Sequence, residues 1–243
     1  MKTKINIQPV DFNTTVEFYK KYLSTPRKDW QENVRRPLQP KVYDAMCATH
    51  DKIGADPIPL INRVKEAGGR VFYWSDLHFF HANIITHAER PFESAAHMNQ
   101  VMQDNYRAAV TDKDLVIFCG DIAFYNMDPV KEILRSLPGK KVLVMGNHDF
   151  DKNKLTFKDY GVFDIQTMAF GFDFQHGNTT YRVVVSHYPV ATDVLPENTI
   201  NIHGHIHQHS AEPRHVNVSV EHTGYAPVEI ESRLIECIQS SNG

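Results

Sequence analysis

Cysteine is scarce in this 243-residue chain, and its three copies, Cys47, Cys119 and Cys237, are widely spaced without a CxxC pair. That excludes a disulfide framework and a thiolate zinc site, and it leads us to expect a reducing, cytoplasmic setting. Long apolar runs are missing too. No stretch approaches the ~20 residues that cross a bilayer, and the opening MKTKINIQPVDFNTT has no continuous apolar signal-peptide core, so neither membrane insertion nor processing is expected. Positive charge is not in excess: the formal net charge is -3, which gives a polyanion no general attraction and argues against strong, general nucleic-acid binding. With 42% hydrophobic and 23% charged residues and no repeats, the chain suits one globular domain, alone or with a small appendage.

What the chain has in quantity is histidine, 14 copies, the side chain most used to ligate transition metals and to move protons near neutral pH. Their placement follows the secondary-structure pattern. Up to residue 69 the apolar residues recur with helical spacing: Phe12, Val16, Tyr19 and Leu23; then Val42, Ala45, Met46, Thr49 and Ile53; then Leu60, Ile61, Val64 and Ala67. From Arg70 on, short β-branched or aromatic runs take over, predicting strands at Val71 to Trp74, Leu115 to Phe118, Val142 to Met145, Val183 to Val185, Ile200 to Ile202 and His215 to Val220. A helix capped by Ser94 and another opened by Asp128 and Pro129 separate the first three strands. That alternation implies βαβ units and a largely parallel sheet, and the closer spacing of the later strands implies a second sheet with antiparallel pairing.

Five of the apolar runs end in polar clusters: Ser75-Asp76-Leu77-His78, Gly120-Asp121, Gly146-Asn147-His148-Asp149, Ser186-His187 and His203-Gly204-His205-Ile206-His207. Ligands collect at the carboxyl ends of strands in open α/β sheets, so clusters far apart in sequence can share one crevice. Imidazole and carboxylate together suit borderline divalent ions such as Mn, Fe, Zn or Ni. Two such ions facing two aspartates would leave roughly two positive charges, enough to bind a phosphate dianion and acidify a water.

The order D-x-H, G-D, G-N-H-D, H, G-H-x-H resembles the calcineurin-like metallophosphoesterase superfamily at every step. SDLHFFHANII followed by ERPF looks like its small single-domain members from bacteria and their phages. The resemblance covers about Arg70 to Pro227. It implies a four-layer αββα sandwich of two mixed sheets, spanning residues 70–243, with residues 1–69 as a helical N-terminal extension. It also implies two divalent transition-metal ions, manganese first, one held by Asp76, His78 and His207 and the other by Asn147, His187 and His205, with Asp121 between them. A bridging hydroxide would then hydrolyse a phosphoester, with His148 facing the phosphate and Asp149 orienting the His148 ring. Gly120-Asp121 is followed by Ile122-Ala123-Phe124 and lacks the further acidic residue of some relatives; no ligand depends on it.

The expected substrate is a nucleotide or another phosphodiester, with phosphomonoesterase or nuclease activity as alternatives. His81, Asn83 and Arg90 are candidate substrate contacts, Arg90 by clasping a phosphate bidentately. His203 is a candidate support for the last ligand pair. The helices before residue 70 are candidates for an oligomer interface, a cap on the sheet or an overhang above the substrate. Two other classes compete. His148-Asp149 also spells the ligand pair of HD phosphohydrolases, whose fold is all-helical, and a metal-stapled scaffold that only binds a partner would need the same ligands.

Overall fold

A computed structural model describes residues 55–124, 127–151, 156–158, 160–191, 195–210 and 213–241. The two helices expected before residue 54 lie outside these residues. Helix α1 (Ile58–Glu66) follows Pro57 and buries Ile58, Leu60, Ile61 and Val64 on one face. Strands β1 (Val71–Trp74), β2 (Leu115–Phe118) and β3 (Lys140–Val144) are linked through α2 (Ala82–His87), α3 (Ala95–Ala109) and α4 (Met127–Ser136). After a short antiparallel pair, β4 (Phe150–Asp151) with β5 (Thr156–Phe157), come β6 (Ile165–Thr167), β7 (Ala169–His176), β8 (Thr179–Ser186), β9 (Thr199–His203) and β10 (His215–Asn217). The chain closes with α5 (Val220–Thr223), β11 (Val228–Glu229) and α6 (Glu231–Ser241).

Two mixed sheets form the frame, in the orders β11-β1-β2-β3-β6 and β10-β9-β8-β7. In the first, β1, β2, β3 and β6 run parallel and β11 is antiparallel. Side-chain alternation explains why its strands are apolar throughout. Phe72, Trp74, Val116, Phe118 and Leu143 face a core shared with Met98, Met102 and Tyr106 of α3 and Leu134 of α4. Val71, Tyr73, Leu115, Ile117, Val142 and Val144 face the other way, against Phe170, Phe172, Phe174, Val183, Val185, Ile200 and Ile202 of the second sheet. Helices α1 and α6 pack on β1 and β10 and add Ile61, Leu234 and Ile238 to that inter-sheet layer. The α/β sandwich of two mixed sheets and helices is therefore the fold. A strand-rich sheet, with His148-Asp149 directly after β3, is incompatible with the all-helical alternative.

Two local features add to the expectations and one corrects them. Strand β7 was not anticipated, although Phe170, Phe172 and Phe174 alternate as an inward face should. In the second sheet only β7 and β8 pair antiparallel; β8, β9 and β10 are parallel. The run from His215 to Val220 is not one strand. Asn217 Oδ1 accepts hydrogen bonds from Ser219 N (2.9 Å) and Ser219 Oγ (2.7 Å), turning the chain so that α5 starts at Val220. The cap at Ser94, in contrast, is as expected: its hydroxyl accepts from His97 N at 3.2 Å.

Asp114 ties the entry of β1 to that of β2. Its carboxylate accepts from Arg70 N (2.7 Å), the Arg70 guanidinium (3.0 Å), Thr111 N (2.8 Å) and Thr111 Oγ1 (2.8 Å). Burial alone would raise its pKa, but these donors outweigh burial and hold it down at about 2. A folded-state value below the ordinary one contributes stability at pH values above ordinary carboxylate titration, and that contribution is lost as pH falls toward 2. Asp114→Asn is therefore expected to cost ~1–3 kcal/mol at neutral pH, with the difference from the parent narrowing between about pH 4 and 2. Urea denaturation across that range checks it, and a difference independent of pH contradicts it.

Candidate metal centre

Each expected ligand sits just past a strand end. Asp76 and His78 follow β1, Asp121 follows β2, Asn147 follows β3, His187 follows β8, and His205 and His207 follow β9. Backbone hydrogen bonds lock these loops together: Asp76 N donates to Gly120 O and His78 N to Asp121 O, both at 3.0 Å, and Gly204 N donates to His187 O at 2.9 Å. Asp76, His78, Asp121, His205 and His207 all adopt left-handed backbone, with φ of 60°, 52°, 57°, 71° and 48°. Non-glycine residues held there cost ~1–3 kcal/mol each and cluster at functional sites. Glycine is needed where backbones touch the ligands. A Cβ on Gly204 would collide with Ser75 Oγ and Asp76 Oδ2, and one on Gly146 with Asp121 Oδ1.

Two triads of ligand atoms result, Asp76, His78 and His207 in one and Asp121, His187 and His205 in the other. Within each, the atoms lie inside 4.8 Å of one another. Asp121 joins them: its Oδ1 accepts from His148 N at 2.8 Å, while Oδ2 lies 3.6 Å from His78 Nε2 and 3.5 Å from His187 Nε2. Asp76 Oδ2 accepts from His205 N (2.8 Å) and Ser219 Oγ (3.0 Å), whereas Asp76 Oδ1 and His78 Nε2 are buried with no hydrogen-bond partner. Bare lone pairs inside a protein are costly, and a cation between them removes the cost.

The tautomers agree with this. His187 Nδ1 lies 2.7 Å from Cys119 O and must donate to it, which turns Nε2 toward Asn147 Oδ1 (3.1 Å) and Asp121 Oδ2. Three acceptors thus converge where only a proton or a metal can reconcile them. In the metal-free chain a proton does so: burial works against the charged ring, yet Asp121 holds the His187 pKa up at about 9. Burial pushes His78 and His205 well below the usual imidazole value, leaving them neutral and ready to ligate. His207 is raised despite its burial, by a hydrogen bond from Nδ1 to Glu221 Oε1 (3.2 Å) and by Asp76. Asp121 is held well below the carboxylate range, the nearby imidazoles outweighing its burial.

Residues 70–224 match the family model described as the calcineurin-like phosphoesterase superfamily domain. The chain belongs to that superfamily. It is 31% identical over 179 residues to an uncharacterized protein, MJ1445, of Methanocaldococcus jannaschii, an alignment covering 69% of this chain and 92% of that one. It is also similar to the crystal structure of a protein of unknown function, AQ665, from Aquifex aeolicus. That likeness has a TM-score of 0.51 and 26% identity, and it spans 70% of this chain and 99% of the other.

Of the further residues that the superfamily resemblance or the sequence suggested, His148 lies at the centre. Its Nε2 is 3.9 Å from Asp121 Oδ2, its ring contacts His78 (5.2 Å between centroids) and Phe124 (4.7 Å), and its side chain is 18% exposed, enough to meet a substrate. Asp149 does not orient that ring. Its fully buried carboxylate accepts from Asp121 N, Gly146 N, Ile122 N and Tyr160 Oη, at 2.9, 2.9, 3.1 and 2.7 Å. Asp149 therefore fastens the loops after β2 and β3 to each other, and its pKa is raised by burial and by Asp121.

Arg90 is not a phosphate clasp either. It is buried, donating to Asp76 O (2.6 Å), Leu77 O (2.9 Å) and Glu221 Oε1 (2.9 Å), with no donor facing the site mouth. His81 lies at the rim, its ring stacked on Phe124 at 4.2 Å and 5.9 Å from that of His78, while Asn83 is exposed in the first turn of α2. His203 is fully buried beside the ligands, its Nδ1 2.8 Å from Gly204 O.

Glu221 bonds His207, Ser219 bonds Asp76 and Tyr160 bonds Asp149, and none of the three is singled out by the sequence. Glu221 lies 131 positions from its partner Arg90, and no local pattern joins them.

Because metal needs His187 neutral while the metal-free chain holds its proton up to about pH 9, metal uptake at pH 8 is expected to release a proton that His187→Gln does not release. Calorimetric titration in buffers of different ionisation enthalpy measures it. Equal proton release by both proteins contradicts the assignment.

Proposed function

We propose that the chain is a metal-dependent phosphoester hydrolase with a dinuclear centre, Asp76, His78 and His207 holding one divalent transition-metal ion and Asn147, His187 and His205 the other, with Asp121 shared. The single observation that carries this is the convergence of both triads on Asp121 Oδ2, with Asp76 Oδ1 and His78 Nε2 buried and bare beside it. The donor set of imidazole and carboxylate suits manganese, iron, zinc or nickel, and the superfamily resemblance puts manganese first. When bound, two such ions neutralise phosphoryl oxygens and make water nucleophilic near neutral pH.

The remaining work falls to the chain. The buried carboxylates and neutral imidazoles fix where the charge sits, and the tie from His148 N to Asp121 Oδ1 holds the His148 ring over the same point. From there Nε2 is placed to hydrogen-bond a phosphoryl oxygen or to protonate the departing alkoxide. His81 and Phe124 offer a stacked aromatic rim beside it, which favours a nucleotide or other aromatic phosphodiester over a small phosphomonoester. Among the described residues no helix is long and apolar enough to cross a membrane. Cys119 and Cys237 are free and buried, in keeping with a reducing cytoplasm. We assign residues 70–243 to the phosphoesterase domain and residues 1–69 to an N-terminal extension whose helix α1 packs on β1.

Chelator-stripped protein reloaded with Mn²⁺, Ni²⁺ or Zn²⁺ is expected to hydrolyse an aryl phosphodiester, and His148→Asn to lower kcat by ~10²–10⁴-fold with metal content unchanged. Steady-state kinetics with metal analysis checks both. A fully metallated chain inert on mono- and diesters overturns the enzymatic reading in favour of a scaffold, and a His148→Asn variant at parental kcat removes that residue's role.

A further inference from the structure

The two triads hang from different supports. The Arg90 side chain is 0% exposed, and three of its contacts lead to one triad. Its guanidinium holds Asp76 O (2.6 Å) and Leu77 O (2.9 Å), the carbonyls on either side of the strained link between Asp76 and His78. It also holds Glu221 Oε1 through Nε (2.9 Å) and Nη2 (2.8 Å), and the same oxygen accepts from His207 Nδ1 at 3.2 Å. The backbone that carries Asp76 and His78 and the ring of His207 are thus held by one buried ion pair. The other triad rests on Asp149, which fixes the amide of Asp121, and on Cys119 O, which orients His187. Among the described residues the links between the two include Asp121 itself, the amide of His205 on Asp76 Oδ2, Asp76 N on Gly120 O and Ser75 Oγ on Cys119 O, none of which involves Arg90 or Glu221.

We propose that Arg90 and Glu221 are the positioning pair for the Asp76/His78/His207 metal position alone, so that the two positions differ in affinity and can be weakened separately; this rests on the dinuclear reading above. The chemistry behind the imidazoles differs in the same sense. A carboxylate behind His207 increases its basicity as a ligand and fixes Nε2 toward the ion, whereas His187 is backed by a neutral carbonyl. Glu221 Oε2 is buried without a hydrogen-bond partner, so among the described residues Arg90 is the cation that balances that carboxylate when His207 is neutral. Arg90 is therefore tied to the metal position through Glu221 as well as through the loop carbonyls.

The test is a Mn²⁺ titration of the stripped, full-length protein, followed by calorimetry and by the electron paramagnetic resonance signal of coupled manganese. The parent is expected to take up two ions per chain. Glu221→Gln, which keeps the shape and loses the charge, is expected to weaken one binding constant ~10–100-fold, leave the other unchanged, and replace the coupled signal with that of an isolated ion at intermediate metal. If Glu221→Gln does not fold, Glu221→Asp is expected to weaken the same single constant. Equal weakening of both constants, or of neither, overturns the positioning role while leaving the dinuclear centre standing. A parent chain that binds fewer than two ions overturns both.

Discussion

The buried Asp121 carboxylate has imidazole nitrogens of His78, His187 and His148 between 3.5 and 3.9 Å from Oδ2. A buried charge needs a partner, and the neutral His187 ring, whose Nδ1 donates to Cys119 O, would present a lone pair to it. Without metal the conflict is relieved by a proton on His187, held there to about pH 9. The same arrangement leaves two groups of side chains that could each hold a metal ion, Asp76, His78 and His207 in one and Asp121, His187 and His205 in the other. Much of the surrounding structure serves to hold acceptors together that would otherwise repel.

That constraint explains the cost carried by the loops. Five of the expected ligands sit in left-handed backbone, a strain that persists only where neighbouring structure over-determines it. The parallel strands β1, β2 and β3 deliver three loops side by side, and β8 and β9 deliver two more from the second sheet. Buried supports then fasten them: Asp149 between the β2 and β3 loops, Arg90 and Glu221 between the β1 loop and His207, and Ser219 on Asp76. Gly146 and Gly204 lie where a side chain would displace an aspartate.

The residues of the two candidate metal groups were readable from sequence because each lies within a few residues of the apolar run that positions it, so strand pattern and chemistry coincide. The first sheet was readable for the same reason, its strands being apolar on both faces. What escaped lies in long-range pairing. Arg90, a candidate phosphate clasp by its residue type, is shown by the fold to be spent on two carbonyls and on Glu221, 131 positions away. Asp149 beside His148 suggested a carboxylate orienting an imidazole, but the turn after β3 sends it inward to backbone amides and Tyr160. The break at Ser219 was masked by the alternation of Val216, Val218 and Val220, which copies a strand until Asn217 captures the chain.

The most direct measurement of the central claim is an anomalous-diffraction map of manganese-soaked crystals. The account predicts two peaks ~3.5–4 Å apart, flanking Asp121 Oδ2, one among Asp76, His78 and His207 and the other among Asn147, His187 and His205. A single peak, or metal bound away from Asp121, would contradict it.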